Sequence, residues 1–326
     1  MIVRVGRNRE WMFWSSGRIV SAMKRAICRA IYLAAAALCA ASATVLAQRP
    51  LKVYISVDME GITGVASADQ LSPTSFEYQQ ARKWMTAEVN AAIQGAREAG
   101  ATEFVISDSH GNGQSLLIDD LPTTFPVTVV RSFPRPLGMM EGIDSTFAAV
   151  IFIGYHAATT SVTGVRAHTI SSALLTRIAL NGISQSEAGI NAAIAAHYRV
   201  PVVMITGDDV IVGETRQRLG NLEGVAVKRA VGFHSAATMM PAVAQALIRD
   251  HAKIAVGRRS EMKPYVMPAP ITVDVSFKNY RPVELLGYLP NVQRVDAHSV
   301  RFIARDMIEV SKFLEFITNF DPTLSP

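Results

Sequence analysis

Five short apolar runs set the strongest limit on how this chain can fold. They are Lys52–Val57 (KVYISV), Glu103–Ser107 (EFVIS), Val127–Val130 (VTVV), Ala148–Ile153 (AAVIFI) and Pro201–Thr206 (PVVMIT). None alternates cleanly between apolar and polar residues, as a strand with one wet face would. Continuous apolar runs of this length suit strands covered on both faces. Between them lie segments with helical spacing. Residues 75–99 place Phe76, Ala81, Trp84, Val89, Ala92, Ile93 and Ala96 mostly on one face, and Gly100 suits the C-terminal stop. Residues 187–197 and 240–250 read as further helices. Strands alternating with helices predict an α/β fold, a mostly parallel sheet sandwiched between helical layers.

The texture changes near Pro264, where Pro264, Pro268 and Pro270 interrupt the pattern. Ile271–Phe277 (ITVDVSF) alternates like a half-exposed strand, Val300–Ala304 reads as another, and a helix follows over 306–318. The expected organisation is a main α/β portion over 48–263 and a smaller C-terminal α+β portion over 264–326, not necessarily independent. No internal repeat or low-complexity stretch follows residue 47.

The first 47 residues read as an address. Residues 24–29 (KRAICR) are basic, residues 30–47 (AIYLAAAALCAASATVLA) are small and apolar, and Val45-Leu46-Ala47 ends the run before Gln48. This is the order of an export signal cut between Ala47 and Gln48, and it predicts a periplasmic or secreted protein. Met23 would open a signal of ordinary length, which makes residues 1–22 candidates for an over-extended start. An uncleaved anchor is the competing reading, although the run is marginal in length and rich in alanine. Membrane contact is therefore expected only in transit.

Charge supports the same division. The whole chain carries +5, but seven basic side chains and one acidic one fall in residues 1–47. That leaves 25 basic and 26 acidic residues over 48–326, so nothing there is tuned to a phosphate backbone and no nucleic-acid partner is expected. Both cysteines, Cys28 and Cys39, also lie in the first segment. A mature chain without them has no disulfide, thiolate ligand or cysteine nucleophile.

Chemistry-bearing residues collect just after the apolar runs: Asp58 and Glu60 after the first, His110 after the second, His156 after the fourth. Open α/β sheets bind ligands outside the carboxyl ends of their strands, so these groups should converge, with Glu187 at a helix start as a fifth. Three carboxylates brought together repel unless cations lie among them, and two divalent ions would resolve the excess. A carboxylate bridging two ions would leave each with about three protein ligands and an open position, the catalytic pattern. The bland readings stay open at this stage: a histidine after a strand is commonly a loop residue, and an aspartate there commonly caps a helix. His197, His234, His251 and His298 have no such setting.

Six segments occur in a fixed order: Val57-Asp58-Met59-Glu60-Gly61-Ile62, Ser107-Asp108-Ser109-His110-Gly111, Gly154-Tyr155-His156-Ala157, Gly164-Val165-Arg166-Ala167-His168-Thr169, Glu187-Ala188-Gly189-Ile190-Asn191 and Gly207-Asp208-Asp209. Together they resemble the zinc D-aminopeptidase family (DppA-like metallopeptidases), from about residue 51 to the C-terminus. The resemblance implies an α/β/α sandwich and two zinc ions per chain held by Asp58, Glu60, His110, His156 and Glu187. It also implies a catalytic His168 and a ring-like homo-oligomer. Manganese or cobalt would suit the same imidazole and carboxylate donors. The implied reaction is removal of the N-terminal residue from short peptides, with the free α-amine meeting a metal or a nearby carboxylate. D-specificity comes from the resemblance alone, and the role of His168 as base, acid, oxyanion donor or nucleophile is left open by it. The export signal departs from relatives that look cytoplasmic. Two other classes compete: a phosphoesterase-like dinuclear hydrolase, with Arg166 as the nearby base, and a non-catalytic periplasmic binding protein.

Overall fold

The computed structural model describes residues 21–32 and 50–320. Residues 21–32 form a helix of exposed side chains. The rest of the export segment, including the apolar run after residue 32 and the Ala47–Gln48 junction, lies outside the described residues. Among those described, no helix is long and apolar enough to cross a membrane. Residues 50–320 form one compact unit.

That unit is built on a seven-stranded sheet. Its strands are β1 (Lys52–Val57), β2 (Glu103–Asp108), β3 (Val127–Val130), β4 (Phe147–Tyr155), β7 (Val202–Asp208), β8 (Glu223–Gly232) and β9 (Ser235–Thr238). The order is β3-β2-β1-β4-β7-β8-β9, parallel throughout except for the β8–β9 edge. The mostly parallel sheet read from the sequence is the observed one. β7 is buried along its whole length and β1 along all but its first residue, as double covering requires.

One face carries Val53, Ile55, Val57 and Ile151 against helices α1 (Tyr78–Glu98) and α4 (Pro241–Gly257). These two helices approach so closely that a Cβ on Gly95 would stand 2.0 Å from the Arg249 carbonyl oxygen, so only glycine fits there. The other face carries Tyr54, Phe152 and Tyr155 against α2 (Glu187–His197) and α3 (Asp209–Leu219). This is the α/β/α sandwich.

A second sheet, antiparallel, has the order β11 (Val292–Arg294), β12 (Ser299–Ala304), β10 (Ile271–Phe277), β5 (Leu175–Leu180), β6 (Ile183–Ser184). Three of its strands, β10, β11 and β12, come from the C-terminal stretch. The other two, β5 and β6, leave the middle of the chain to join it, with β5 paired to β10. The smaller portion therefore draws on both parts of the sequence. Strand β10 alternates buried and half-buried residues, as its sequence predicts. Helices α5 (Tyr280–Leu286) and α6 (Met307–Asn319) complete this layer.

Helix α1 starts two residues later than Phe76, which is 83% exposed in the turn before it. Tight turns over Ser72–Ser75 keep that stretch out of the helix. Gly100 follows α1 with φ +96°, the left-handed stop its sequence position suggested.

Candidate metal centre

Register delivers the site. Val57 at the end of β1 pairs with Asp108 of β2 and Ile153 of β4, so the residues after all three strands emerge at one edge. Two glycines let the emerging loops touch backbone to backbone. Gly61 N–H donates to the Gly154 carbonyl at 2.7 Å, and a Cβ on Gly61 would stand 2.0 Å from the Tyr155 carbonyl oxygen. Gly154 has φ +69°, and its own Cβ would press on the Asp58 carbonyl oxygen at 2.2 Å. These contacts bring the β1 loop, with Asp58 and Glu60, against the β4 end, with His156.

Asp58 sits between two imidazoles. Its Oδ1 lies 3.3 Å from His110 Nδ1 and its Oδ2 lies 3.2 Å from His156 Nε2. Glu60 Oε2 stands 2.9 Å from the same His110 nitrogen, and Glu187 Oε2 stands 3.2 Å from the same His156 nitrogen. All five side chains are buried. The result is two sets, Asp58–Glu60–His110 and Asp58–His156–Glu187, sharing one carboxylate.

Main-chain carbonyls fix the ring orientations. His110 Nε2–H donates to the Leu71 carbonyl at 2.9 Å and His156 Nδ1–H to the Ala157 carbonyl at 3.1 Å. Each neutral ring then aims a lone pair at carboxylate oxygens, an arrangement that is stable only with a cation between them. Asp58 Oδ2 and His156 Nε2 are buried without a hydrogen-bond partner. Nitrogen and oxygen donors with orphaned buried atoms fit zinc.

When protons are the only cations, the rings carry them. Burial alone would push His110 and His156 down, but Glu60 and Asp58 around one and Glu187 and Asp58 around the other hold both well above the ordinary histidine range. Burial likewise opposes ionisation of Glu60, yet the His110 charge keeps its carboxyl well below the usual range. Asp58 goes the other way, raised by burial and by the Glu60 charge.

Glu187 is the first residue of α2, capped by Ser186, whose hydroxyl accepts from Gly189 N–H. The helix N-terminus favours its carboxylate. Ile170 N–H donates to Oε1 at 2.6 Å, which leaves Oε2 for His156. His168 comes from the intervening loop. Its ring stacks on His156 with centroids 4.1 Å apart and planes 6° from parallel. Its Nδ1–H donates to the Arg166 carbonyl at 2.8 Å, so Nε2 is the basic atom. A nitrogen of His168 lies within 4.8 Å of His156 and Glu187 donor atoms, close enough for ligation by distance. The rings are parallel, so the lone pairs of His156 Nε2 and His168 Nε2 lie in two separate planes and do not converge on one point.

The structure thus brings together all six residues singled out in the sequence. His197, His234, His251 and His298 stay elsewhere: His251 pairs with Glu223 at 2.9 Å, and His298 packs on Tyr280. A cavity of about 270 Å³ opens over the centre. Asp58, Glu60, His110, His168 and Glu187 form its floor, and apolar side chains such as Leu137, Ile170, Ile190 and Leu314 form its walls. Among the described residues, no lysine or arginine lines it.

The chain matches the family model described as D-aminopeptidase over residues 51–316. The chain belongs to the D-aminopeptidase family. A D-aminopeptidase of Bacillus subtilis (strain 168) is 30% identical over 269 residues, which is 82% of this chain and 97% of that protein. The solved structure described as the Zn-dependent D-aminopeptidase DppA from Bacillus subtilis, a self-compartmentalizing protease, superposes with a TM-score of 0.79 at 29% identity. It covers 85% of this chain and 100% of that one.

Two supports of this D-aminopeptidase site had no sequence signal. Lys228 of β8 is buried, and its Nζ donates to the carbonyls of Glu60, Ile62 and Val65, clamping the loop that carries Asp58 and Glu60. Burial lowers its ammonium to about 8, and three carbonyls compensate the charge in place of water. From the other side, Glu88 of α1 accepts from Thr63 N–H at 2.9 Å, and burial pushes its carboxyl up to about 7. Asp208 was visible as a strand-end residue, and it proves to be a brace. It caps α3 through Ile211 N–H and also accepts from Val165 N–H at 2.7 Å, at the start of the His168 loop.

Proposed function

We propose that this chain is a zinc metallo-aminopeptidase that removes the N-terminal residue from short peptides containing D-amino acids, with two ions per chain. The observation that carries the reading is Asp58, whose two oxygens face two separate imidazole–carboxylate sets on the floor of one cleft. In this reading Asp58, Glu60 and His110 hold one ion and Asp58, His156 and Glu187 hold the other. Zinc, when bound, supplies the Lewis acidity that polarises a peptide carbonyl and eases deprotonation of water near neutral pH. Manganese or cobalt are possible substitutes on the same donors.

His168 supplies what the ligands cannot. With Nδ1–H committed to Arg166, its Nε2 is free to hold or move a proton beside the centre, as base, acid or oxyanion donor. A phosphoesterase would favour basic side chains beside the ions to hold the phosphate, and among the described residues no lysine or arginine lines the cavity. Arg166 instead lays its guanidinium over the Phe233 ring, 4.8 Å from the centroid. A binding protein would have no use for buried, unpartnered donor atoms.

The test is a panel of D- and L-aminoacyl p-nitroanilides, with p-nitrophenyl phosphate beside it. The expected result is cleavage of D-aminoacyl substrates, suppressed by chelator, with N-acetylated forms and the phosphate ester untouched. Cleavage of the phosphate ester alone would replace this reading.

Two further proposals accompany it. The relative's description as self-compartmentalizing motivates a ring-like homo-oligomer here, and light scattering at micromolar concentration should give a mass several times that of one chain; a monomer would refute it. The basic-then-apolar start motivates export to the periplasm or beyond. Intact mass of the recovered protein should begin at Gln48, and a chain retaining residues 24–47 would favour an anchor.

A further inference from the structure

Asn191 lines the cavity one turn beyond Glu187 on α2, and its hydrogen bonds can be counted. The chain of donors begins at Ser56, whose hydroxyl donates to the Met139 carbonyl at 3.1 Å. Tyr155 O–H donates to Ser56 Oγ at 2.7 Å. Its only proton is then spent, so the Tyr155 oxygen must accept from Asn191 Nδ2, 2.9 Å away. The second Nδ2 proton points at Met139 Sδ, 3.2 Å away. Both amide protons are committed to the protein beneath the site, and this fixes which way the carboxamide faces. Among the described residues its Oδ1 has no hydrogen-bond partner, yet it is not among the sealed, unpartnered atoms. It is an oriented acceptor left over for the cavity.

We propose that Asn191 Oδ1 accepts a hydrogen bond from the free α-amine of the bound substrate, and so makes Asn191 a determinant of exopeptidase specificity. The inference rests on the aminopeptidase reading above. Every such substrate brings a charged α-amine close to the scissile carbonyl, whereas an internal peptide segment offers there only one uncharged amide N–H, a weaker donor to the same oxygen. The carboxylates are already committed: Glu187 to Ile170 N–H and His156, Glu60 to His110, and Glu315 on the cavity wall to Arg135 N–H and Asn319 Nδ2. A neutral amide oxygen adds an acceptor without adding a fourth negative charge to the floor.

The test uses the zinc-loaded full chain and two substitutions, Asn191→Leu and Asn191→Asp. Zinc content is measured for each, together with competitive inhibition by D-alanine and by propionate, which has the same carbon skeleton without the amine. D-alanine is expected to inhibit the unsubstituted chain more strongly than propionate. Asn191→Leu should keep its zinc and shrink that preference roughly 10- to 100-fold, the range for losing a hydrogen bond to a charged group. Asn191→Asp keeps an acceptor oxygen but cannot donate to Tyr155, so it should retain the preference. If Asn191→Leu leaves the preference unchanged, the proposal is overturned. If Asn191→Asp loses as much as Asn191→Leu, the residue acts through the Tyr155 network and the proposal is again overturned. Both results leave the aminopeptidase reading standing. That reading fails separately, and takes the proposal with it, if the unsubstituted chain binds no metal and cleaves no aminoacyl substrate.

Discussion

Asp58→Asn is expected to empty the centre of zinc and to reduce turnover to the background rate while the fold survives. The substitution preserves shape. The new side chain can still accept from Met59 N–H, as Asp58 Oδ1 does at 2.8 Å. It cannot place an anionic oxygen toward both His110 and His156, which lie on opposite sides of the carboxylate at 3.3 and 3.2 Å. An amide N–H directed at the His156 lone pair would satisfy that ring and close the position a cation needs. Because one side chain serves both sets, both ions should be lost together. Metal analysis by mass spectrometry, with circular dichroism as the check on folding, reads the outcome. A folded variant that keeps two zinc ions and near-normal turnover would remove Asp58 from the bridging role.

His168→Ala should separate chemistry from metal binding. The ring stacks on His156 without sharing its plane, and its Nδ1 is tied to Arg166. Removing it should leave both ions, the fold and the binding of a product amino acid in place. Turnover should fall by at least ~10²-fold, the scale for losing a positioned proton-transfer group or oxyanion donor. His156→Ala should differ by losing metal along with activity. Normal turnover in His168→Ala would end the catalytic assignment, and loss of zinc would move His168 into the ligand set.

Much of the parallel sheet was legible because its strands are buried on both faces. Burial of that kind writes itself as continuous apolar runs, and β1 and β3 match their predicted limits residue for residue. The converging positions were legible for a related reason: parallel strands in register end at one edge, so residues following them must meet. Elements without such a signature were missed. Helix α3 starts directly after the last residue of β7, with that residue, Asp208, as its cap, and no loop announces it. Strand β5 (LTRIAL) is broken by polar residues, and its partner β10 lies about a hundred residues on, so nothing local shows that it leaves the main sheet. Lys228 was hidden by its type: a lysine in a strand reads as exposed, and only the three carbonyls converging on it explain its burial. For Asn191 the position was visible inside a motif, but its orientation depends on Tyr155, Ser56 and Met139, which come from three other parts of the chain.

Zinc titration of the chelator-stripped chain, with bound metal and D-aminoacyl p-nitroanilide hydrolysis followed together, tests the central claim most directly. The account predicts that activity is absent at the start and returns as zinc binds, with saturation at two ions per chain. Full hydrolysis in excess chelator, by protein shown to carry no transition metal, would contradict it.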